Sequence, residues 1–314
     1  MGEKQCRVAV VGARGMLARM VIELAPSAWE VVGLSHPQFD LTDFPSTMET
    51  LAALRPDIII NCAAYTDVDG AESNEALAFS VNAVGPGNLA RAAKEINATL
   101  VHISSDYVFS GDKRFPYCET DHPEPRSVYG KSKYQGEQAI LESGLEQFFI
   151  VRASWLYGAG GKNFVETIVR LAKEREELRI VADQFGSPTY TYDLAQALFF
   201  LLAEQTKRMK EEGVDGSIYG IYHYSNDGEC SWYQFATEIV SLLKKEGESV
   251  KSQRILPIHT AEYPLPAPRP AYSVMSKQKY QKVVGTVVPG WREALERYLA
   301  SRNAQHGQGK VDLS

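Results

Sequence analysis

The sequence predicts an α/β protein: a doubly wound parallel sheet carrying a smaller, interleaved α/β lobe. Three observations predict it. Apolar runs alternate with helical patterns through the first half of the chain. A glycine turn, Gly12-Ala13-Arg14-Gly15-Met16-Leu17-Ala18, follows the first run, and Tyr129-Gly130-Lys131-Ser132-Lys133 opens a later helix. Alternation of this kind needs right-handed crossovers, which give a parallel sheet with ligands at the carboxyl ends of its strands.

The first elements are expected at Arg7–Val11 (strand), Met16–Leu24 (helix), Glu30–Leu34 (strand), Pro45–Leu54 (helix) and Asp57–Asn61 (strand), a βαβαβ order. An Ala-rich helix from about Ala76 to Ile96, the strand Thr99–Ser104, a helix from Tyr129 to about Ser143 and the strand Phe148–Arg152 continue it. After Arg152 the rhythm changes: Gly158-Ala159-Gly160-Gly161, a helix with Phe164, Ile168 and Leu171 on one face, and a strand near Leu178–Val181 begin the lobe. Asp183–Thr189 precedes a helix expected to return to the first domain, while Gly220–Ser225 and the helix begun by Ser231 are expected back in the lobe. The Rossmann-like domain is therefore drawn over 1–152 and about 183–215, and the lobe over about 153–182 and 216–300. Tyr263–Pro270 is too proline-rich for an interior helix or central strand and reads as a fixed loop. The polar end, 303–314, lacks periodicity and reads as a frayed tail.

A chain of 314 residues suits a nucleotide-sized domain with a second lobe. A net charge of −6 gives no general attraction to nucleic acid or an anionic membrane, so any phosphate must be held locally. The longest strongly apolar stretch, Ala197–Ala203, is far short of the roughly 20 residues needed to span a bilayer and reads as a buried helix segment. The apolar run after Arg7 is too short for an export signal. Cys6, Cys62, Cys118 and Cys230 are scattered with no C-x-x-C pair, so reduced thiols in the cytoplasm are expected, without a zinc site or disulfide framework.

At Gly12 and Gly15 a strand must turn sharply into a helix whose amides face an anion, and side chains there would block a pyrophosphate. The spacing is G-x-x-G-x-x-A, with Ala18 where helix packing usually takes a third glycine. The second strand ends Leu34-Ser35-His36 without the acid that would bind a ribose 2′-hydroxyl, which leans toward NADPH over NADH. Arg14 adds a cation that favours phosphate, although a solvated role fits it nearly as well.

Four residues apart on a helix, Tyr129 and Lys133 share a face, so the ammonium can lower a phenol pKa that is ordinarily about 10. Ser104 and Ser105 end a central strand, where ligand chemistry sits in such sheets. Ser105 is the expected partner of a substrate carbonyl and Ser104 a local backbone hydrogen-bonder. Asn82 fits either a structural helix position or a proton relay, and the sequence does not separate them.

Together these residues resemble the extended short-chain dehydrogenase/reductases, and within them the dTDP-4-dehydrorhamnose reductase family. The resemblance is carried by Arg55–Thr66, Val68-Asp69-Gly70-Ala71-Glu72, Ser104–Phe109, Tyr129–Glu137, Arg152-Ala153-Ser154-Trp155, Asp183–Thr189 and Arg269-Pro270. It implies that Gly15, Met16 and Leu17 bind cofactor phosphate, with Gly12, Arg14 and Ser35 in the same site. Asp40 and Leu41 would border adenine, while Ala64, Tyr65 and Thr66 line the ribose and nicotinamide, which Lys133 also anchors. Ser105, Asp106, Trp155 and Arg269 would meet the sugar nucleotide. Trp155 could instead serve core packing, and Asp40 could be a turn acid with Asp43 nearby as a helix N-cap type. Position 105 carries Ser where the family usually has Thr, which keeps the hydroxyl. Some members bind a metal at a dimer contact through a glutamate just after the glycine turn. Arg19 stands in that place, so no metal is expected and a homodimer is left open.

The reaction implied is hydride delivery from NAD(P)H to C4 of a dTDP-linked 4-keto-6-deoxy sugar, with Tyr129 protonating the oxygen. Two rivals share the motifs. A sugar-nucleotide dehydratase would need an acid after the hydroxyl-Asp pair, where Tyr107 stands; a C4 epimerase is not excluded. A non-catalytic regulatory partner of methionine adenosyltransferase also resembles this family and can keep the Tyr-Lys pair.

Overall fold

The computed structural model describes residues 5–308. Six parallel strands form the main sheet in the order Gly220–Tyr224, β5, β4, β3, β1, β2, where β1 is Cys6–Val11, β2 Trp29–Leu34, β3 Ile58–Asn61, β4 Thr99–Ser105 and β5 Phe148–Ala153. The chain steps from β1 outward to β2 and then back past β1 to β3. This places a topological switch point, and hence a crevice, at the carboxyl ends of β1 and β3.

Alternation along each strand feeds two cores. Val8 and Val10 face one layer, built on the helices α1 (Met16–Glu23) and Thr191–Glu212, while Ala9 and Val11 face the other, with α2 (Phe44–Leu54) and the helices Gly85–Ile96 and Val128–Glu142. The apolar run Ala197–Ala203 lies within Thr191–Glu212 and contributes Leu198, Leu201 and Leu202 to the first core, its place expected from sequence. No helix is long and apolar enough to cross a membrane among the described residues. Cys62, Cys118 and Cys230 are free thiols.

A separate apolar cluster joins the helices Phe164–Glu174, Trp232–Lys245 and Trp291–Gln308 beside a parallel strand pair, Glu177–Val181 with Arg254–Ile258. Here the structure corrects three expectations. Gly220–Tyr224 does not return to this lobe; it pairs with β5 along the main sheet, because its Tyr222 and Tyr224 bury in the first core. The Ala-rich helix runs unbroken but is not α-helical throughout: Ser80–Val84 widens into a π-helical turn between Glu75–Phe79 and Gly85–Ile96. The expected tail from 303 is helical to Gln308, and 309–314 lie outside the described residues.

Candidate active site

The crevice at the switch point is a cleft of about 860 Å³. Gly12 sits at φ +79°, and a Cβ there would stand 2.7 Å from the Ala63 backbone, so glycine is what lets β1 turn beside the end of β3. At Gly15 a Cβ would meet only Gly12 O, at 3.3 Å, and would otherwise occupy the cleft. Gly15 caps α1 with no side-chain bond, leaving the first amides of the helix for an anion. That cradle, with Arg14, Met16 and Leu17 on the same wall, fits a dinucleotide pyrophosphate.

Ser35, Asp40 and Leu41 continue the wall, joined by Phe39 and Thr42, which sequence reasoning missed. Asp40 Oδ1 accepts the Thr42 hydroxyl at 2.7 Å and its N–H at 2.9 Å, and these bonds hold the carboxyl below its usual range. It is thus a turn acid as well as a wall residue. Asp43 takes the N-cap position of α2 but makes no side-chain capping bond. Ala64 and Thr66 line the cleft; Tyr65 does not. Asn82, fully buried in the π turn, bonds the Tyr65 N–H and carbonyl at 2.8 and 3.1 Å and donates to Ser132 Oγ at 3.0 Å. Asn82 therefore fastens the end of β3 to the helix Val128–Glu142, and the Tyr65 ring lies toward Gly70.

That helix, capped by Ser127, brings Tyr129 and Lys133 to the cleft beside Ser105 and Asp106. The electrostatics differ from expectation. Removal from water pushes the Tyr129 phenol up to about 12, opposed by the Ser105 hydroxyl and reinforced by Asp106. The Lys133 amine instead bonds Ile103 O at 2.7 Å and lies 3.5 Å from His102 Nε2. Lys133 is 1% exposed, and burial pushes it down to about 8, against the pull of Glu137 and Cys62. Ser105 donates to Asp106 Oδ1 at 3.0 Å and accepts from Tyr107 N–H at 3.2 Å. Burial drives Asp106 up to about 6, with the Ser273 and Ser105 hydroxyls opposing, and its Oδ2 has no bonded partner. A buried acceptor left open at the cleft fits a sugar hydroxyl. Ser104 is not a local backbone hydrogen-bonder: it donates to Glu137 Oε1 at 2.5 Å, and Glu137 in turn pairs with Arg152.

Trp155 stands at the far end, at φ +47°, stacked on Trp232 with centroids 3.4 Å apart while still lining the cleft. Gly186 makes this possible, since a Cβ there would come 2.5 Å from the Trp155 indole. Trp155 thus packs and faces the cleft at once. Arg269 is not on the cleft wall. Its guanidinium pairs with Asp69 at 2.5 and 2.6 Å, which fastens the Pro-rich loop to the short helix Val68–Ala71. Missed from sequence was Gly160-Gly161-Lys162, which closes the cleft over Met16; a Cβ on Gly161 would meet Met16 Cγ at 2.4 Å. The glycine run was the available signal, read only as a change of rhythm. Gly160 abuts Arg19, which gives that arginine an intramolecular neighbour.

The sequence profile of the RmlD substrate binding domain matches residues 6–303. The dTDP-4-dehydrorhamnose reductase of Burkholderia thailandensis is 40% identical over 295 residues, covering 92% of this chain and 96% of that protein. The chain belongs to the dTDP-4-dehydrorhamnose reductase family. A spore coat polysaccharide biosynthesis protein, SpsK, of Bacillus subtilis is likewise 40% identical, over 95% of this chain and 98% of that one. Among solved structures, the Bacillus anthracis dTDP-4-dehydrorhamnose reductase in complex with NADP superposes with a TM-score of 0.83 at 40% identity, covering 95% and 100% of the two chains. The fold of this reductase family member is Rossmann-like, as the strand order requires.

Proposed function

We propose that this family member reduces the C4 ketone of dTDP-4-dehydro-L-rhamnose to dTDP-L-rhamnose, with NADPH as the preferred donor and NADH as the second. The observation that carries the reading is the convergence of the glycine turn, Ser105, Tyr129 and Lys133 on one cleft. Bound NADPH supplies the hydride; the protein supplies position and a proton. A phenol raised to about 12 keeps its proton at neutral pH, so Tyr129 is ready as the acid that protonates the carbonyl oxygen. Ser105 shares its hydroxyl between Asp106 and that oxygen, and the open Oδ2 of Asp106 accepts from a substrate hydroxyl. Lys133 anchors a ribose at the floor, Trp155 offers an apolar wall to the nucleotide, and Arg269 acts on the substrate end through the loop it fastens. Residues 1–152 and about 183–215 hold the cofactor, and the lobe built on 153–182 and the helices after Ser231 holds the sugar nucleotide.

The NADPH preference is supported by the end of β2, where Ser35 and His36 share the wall with Arg14 and the Asp40 carboxylate is occupied by Thr42. The relative solved with NADP agrees. The free thiols of Cys62, Cys118 and Cys230 suit the cytoplasm, where such donors circulate. The test is a spectrophotometric assay of the purified protein alone, with NADPH and NADH against a panel of nucleotide-linked keto sugars. Oxidation fastest with NADPH and the dTDP-4-keto-6-deoxy sugar is expected. No turnover, together with tight binding to another protein, would favour the regulatory reading.

A further inference from the structure

Behind the cleft wall lie two buried polar side chains that the reaction does not touch. His102 on β4 and Asn61 at the end of β3 are both 0% exposed. His102 Nδ1 is 3.0 Å from Asn61 Nδ2, and its Nε2 is 3.5 Å from Lys133 Nζ. Asn61 Oδ1 accepts the Ala63 backbone N–H at 3.0 Å. A backbone N–H can only donate, so the amide atom facing it is the oxygen and the one facing the imidazole is the NH2 group. Nδ1 therefore accepts. Burial and the neighbouring Lys133 hold the ring neutral, and a neutral ring has one proton, which is left to Nε2. That N–H meets Lys133. With its pKa at about 8, the Lys133 side chain is an ammonium at neutral pH; it has three donors and no acceptor, so it donates to Ile103 O at 2.7 Å and finds no acceptor on the ring.

We propose that Asn61 and His102 are a positioning pair: Asn61 locks His102 in the tautomer protonated at Nε2, and that N–H denies the Lys133 ammonium an acceptor behind the wall, leaving its remaining donors for the cleft. The surroundings agree from each element packed on Lys133. On its own helix, Glu137 is engaged by Arg152 at 2.9 and 2.6 Å and by Ser104. Just past β3, the Cys62 thiol is pushed up to about 12 and stays protonated. On β4, His102 presents a proton rather than a lone pair. Ribose hydroxyls entering the cleft would supply the missing acceptors. This makes the pair the device that aims the Lys133 ammonium at the ligand.

The test uses the full chain labelled with 15N-histidine, without cofactor, followed by NMR from about pH 6 to pH 9, with the His102 signal identified by its loss in His102→Gln. The expected pattern is a neutral ring protonated at Nε2 throughout. A ring protonated at Nδ1, or an imidazolium, would overturn the proposal, and this spectrum alone decides if variants fail to fold. In Asn61→Asp the carboxylate should accept from Nδ1–H, moving the ring proton to Nδ1 and freeing Nε2 to accept from the ammonium. The spectrum should then invert, and the alkaline limb of kcat/KM should move up by about one pH unit, a tenfold lower proton concentration at half-activity. Inversion without that shift would remove Lys133 from the proposal. The pH arm rests on the reductase reading and the spectrum does not, so an Nε2-protonated ring in a protein that turns nothing over would count against that reading alone.

Discussion

The two ends of the cleft are built from different materials. At the phosphate end, backbone does the work: Gly12 and Gly15 shape the turn, α1 offers its amides, and Arg14 and Gly15 lie exposed. At the chemical end, polar side chains are withdrawn from water: Ser105, Asp106 and Lys133 are at most 6% exposed, and each proton sits where burial puts it. The contrast teaches that one end binds by shape and dipole, while the other depends on desolvation, so substitutions should fail in different ways.

The largest effect is expected from Tyr129→Phe. Losing the proton donor should lower kcat by roughly 10²–10⁴-fold, with NADPH affinity by fluorescence titration nearly unchanged. Full activity in that variant would dissolve the distinction between the ends. At the phosphate end, Gly12→Ala forces a Cβ to 2.7 Å from the Ala63 backbone at a positive φ. A loss of about 2–3 kcal/mol in denaturant unfolding is expected, together with weaker cofactor binding.

The next prediction concerns Asp106. Its folded pKa is raised, so the protonated form is favoured on folding; that stability is present at low pH and lost as pH rises through about 6. Asp106→Asn should therefore stabilise the protein by ~1–2 kcal/mol above that pH, and not below about pH 4, while weakening substrate binding. Unfolding curves at both pH values check the sign. The smallest effect belongs to Arg14→Ala: exposed and without a fixed partner in the cleft, it should lower the NADPH-over-NADH preference a fewfold, read as the ratio of the two kcat/KM values.

The same contrast explains what was legible in the sequence. Strands β1 to β5 and the glycine turn follow from local pattern, because period-two burial and a tight turn leave marks within a few residues. What could not be read is where distant segments meet. Gly220–Tyr224 looks like any short strand until it pairs with β5, more than 60 residues earlier in the chain. Ser104 meets Glu137 across 33 residues, and Asn82 reaches Tyr65 and Ser132 from a π turn that no periodicity announces. The Tyr-x-x-x-Lys spacing placed two side chains at one cleft but not the direction of the Lys133 amine, which is set by Ile103 and His102 on another element. Arg269 likewise has a motif but a partner, Asp69, that lies 200 residues away.

The most direct measurement follows the hydride itself. With NADPH carrying deuterium at the transferred position and dTDP-4-dehydro-L-rhamnose, the purified protein should consume one NADPH per product and leave the deuterium on C4 of the sugar, read by mass spectrometry and NMR. Sugar inverted at C4 without net NADPH consumption, or no label in any product, would contradict a reductase cleft.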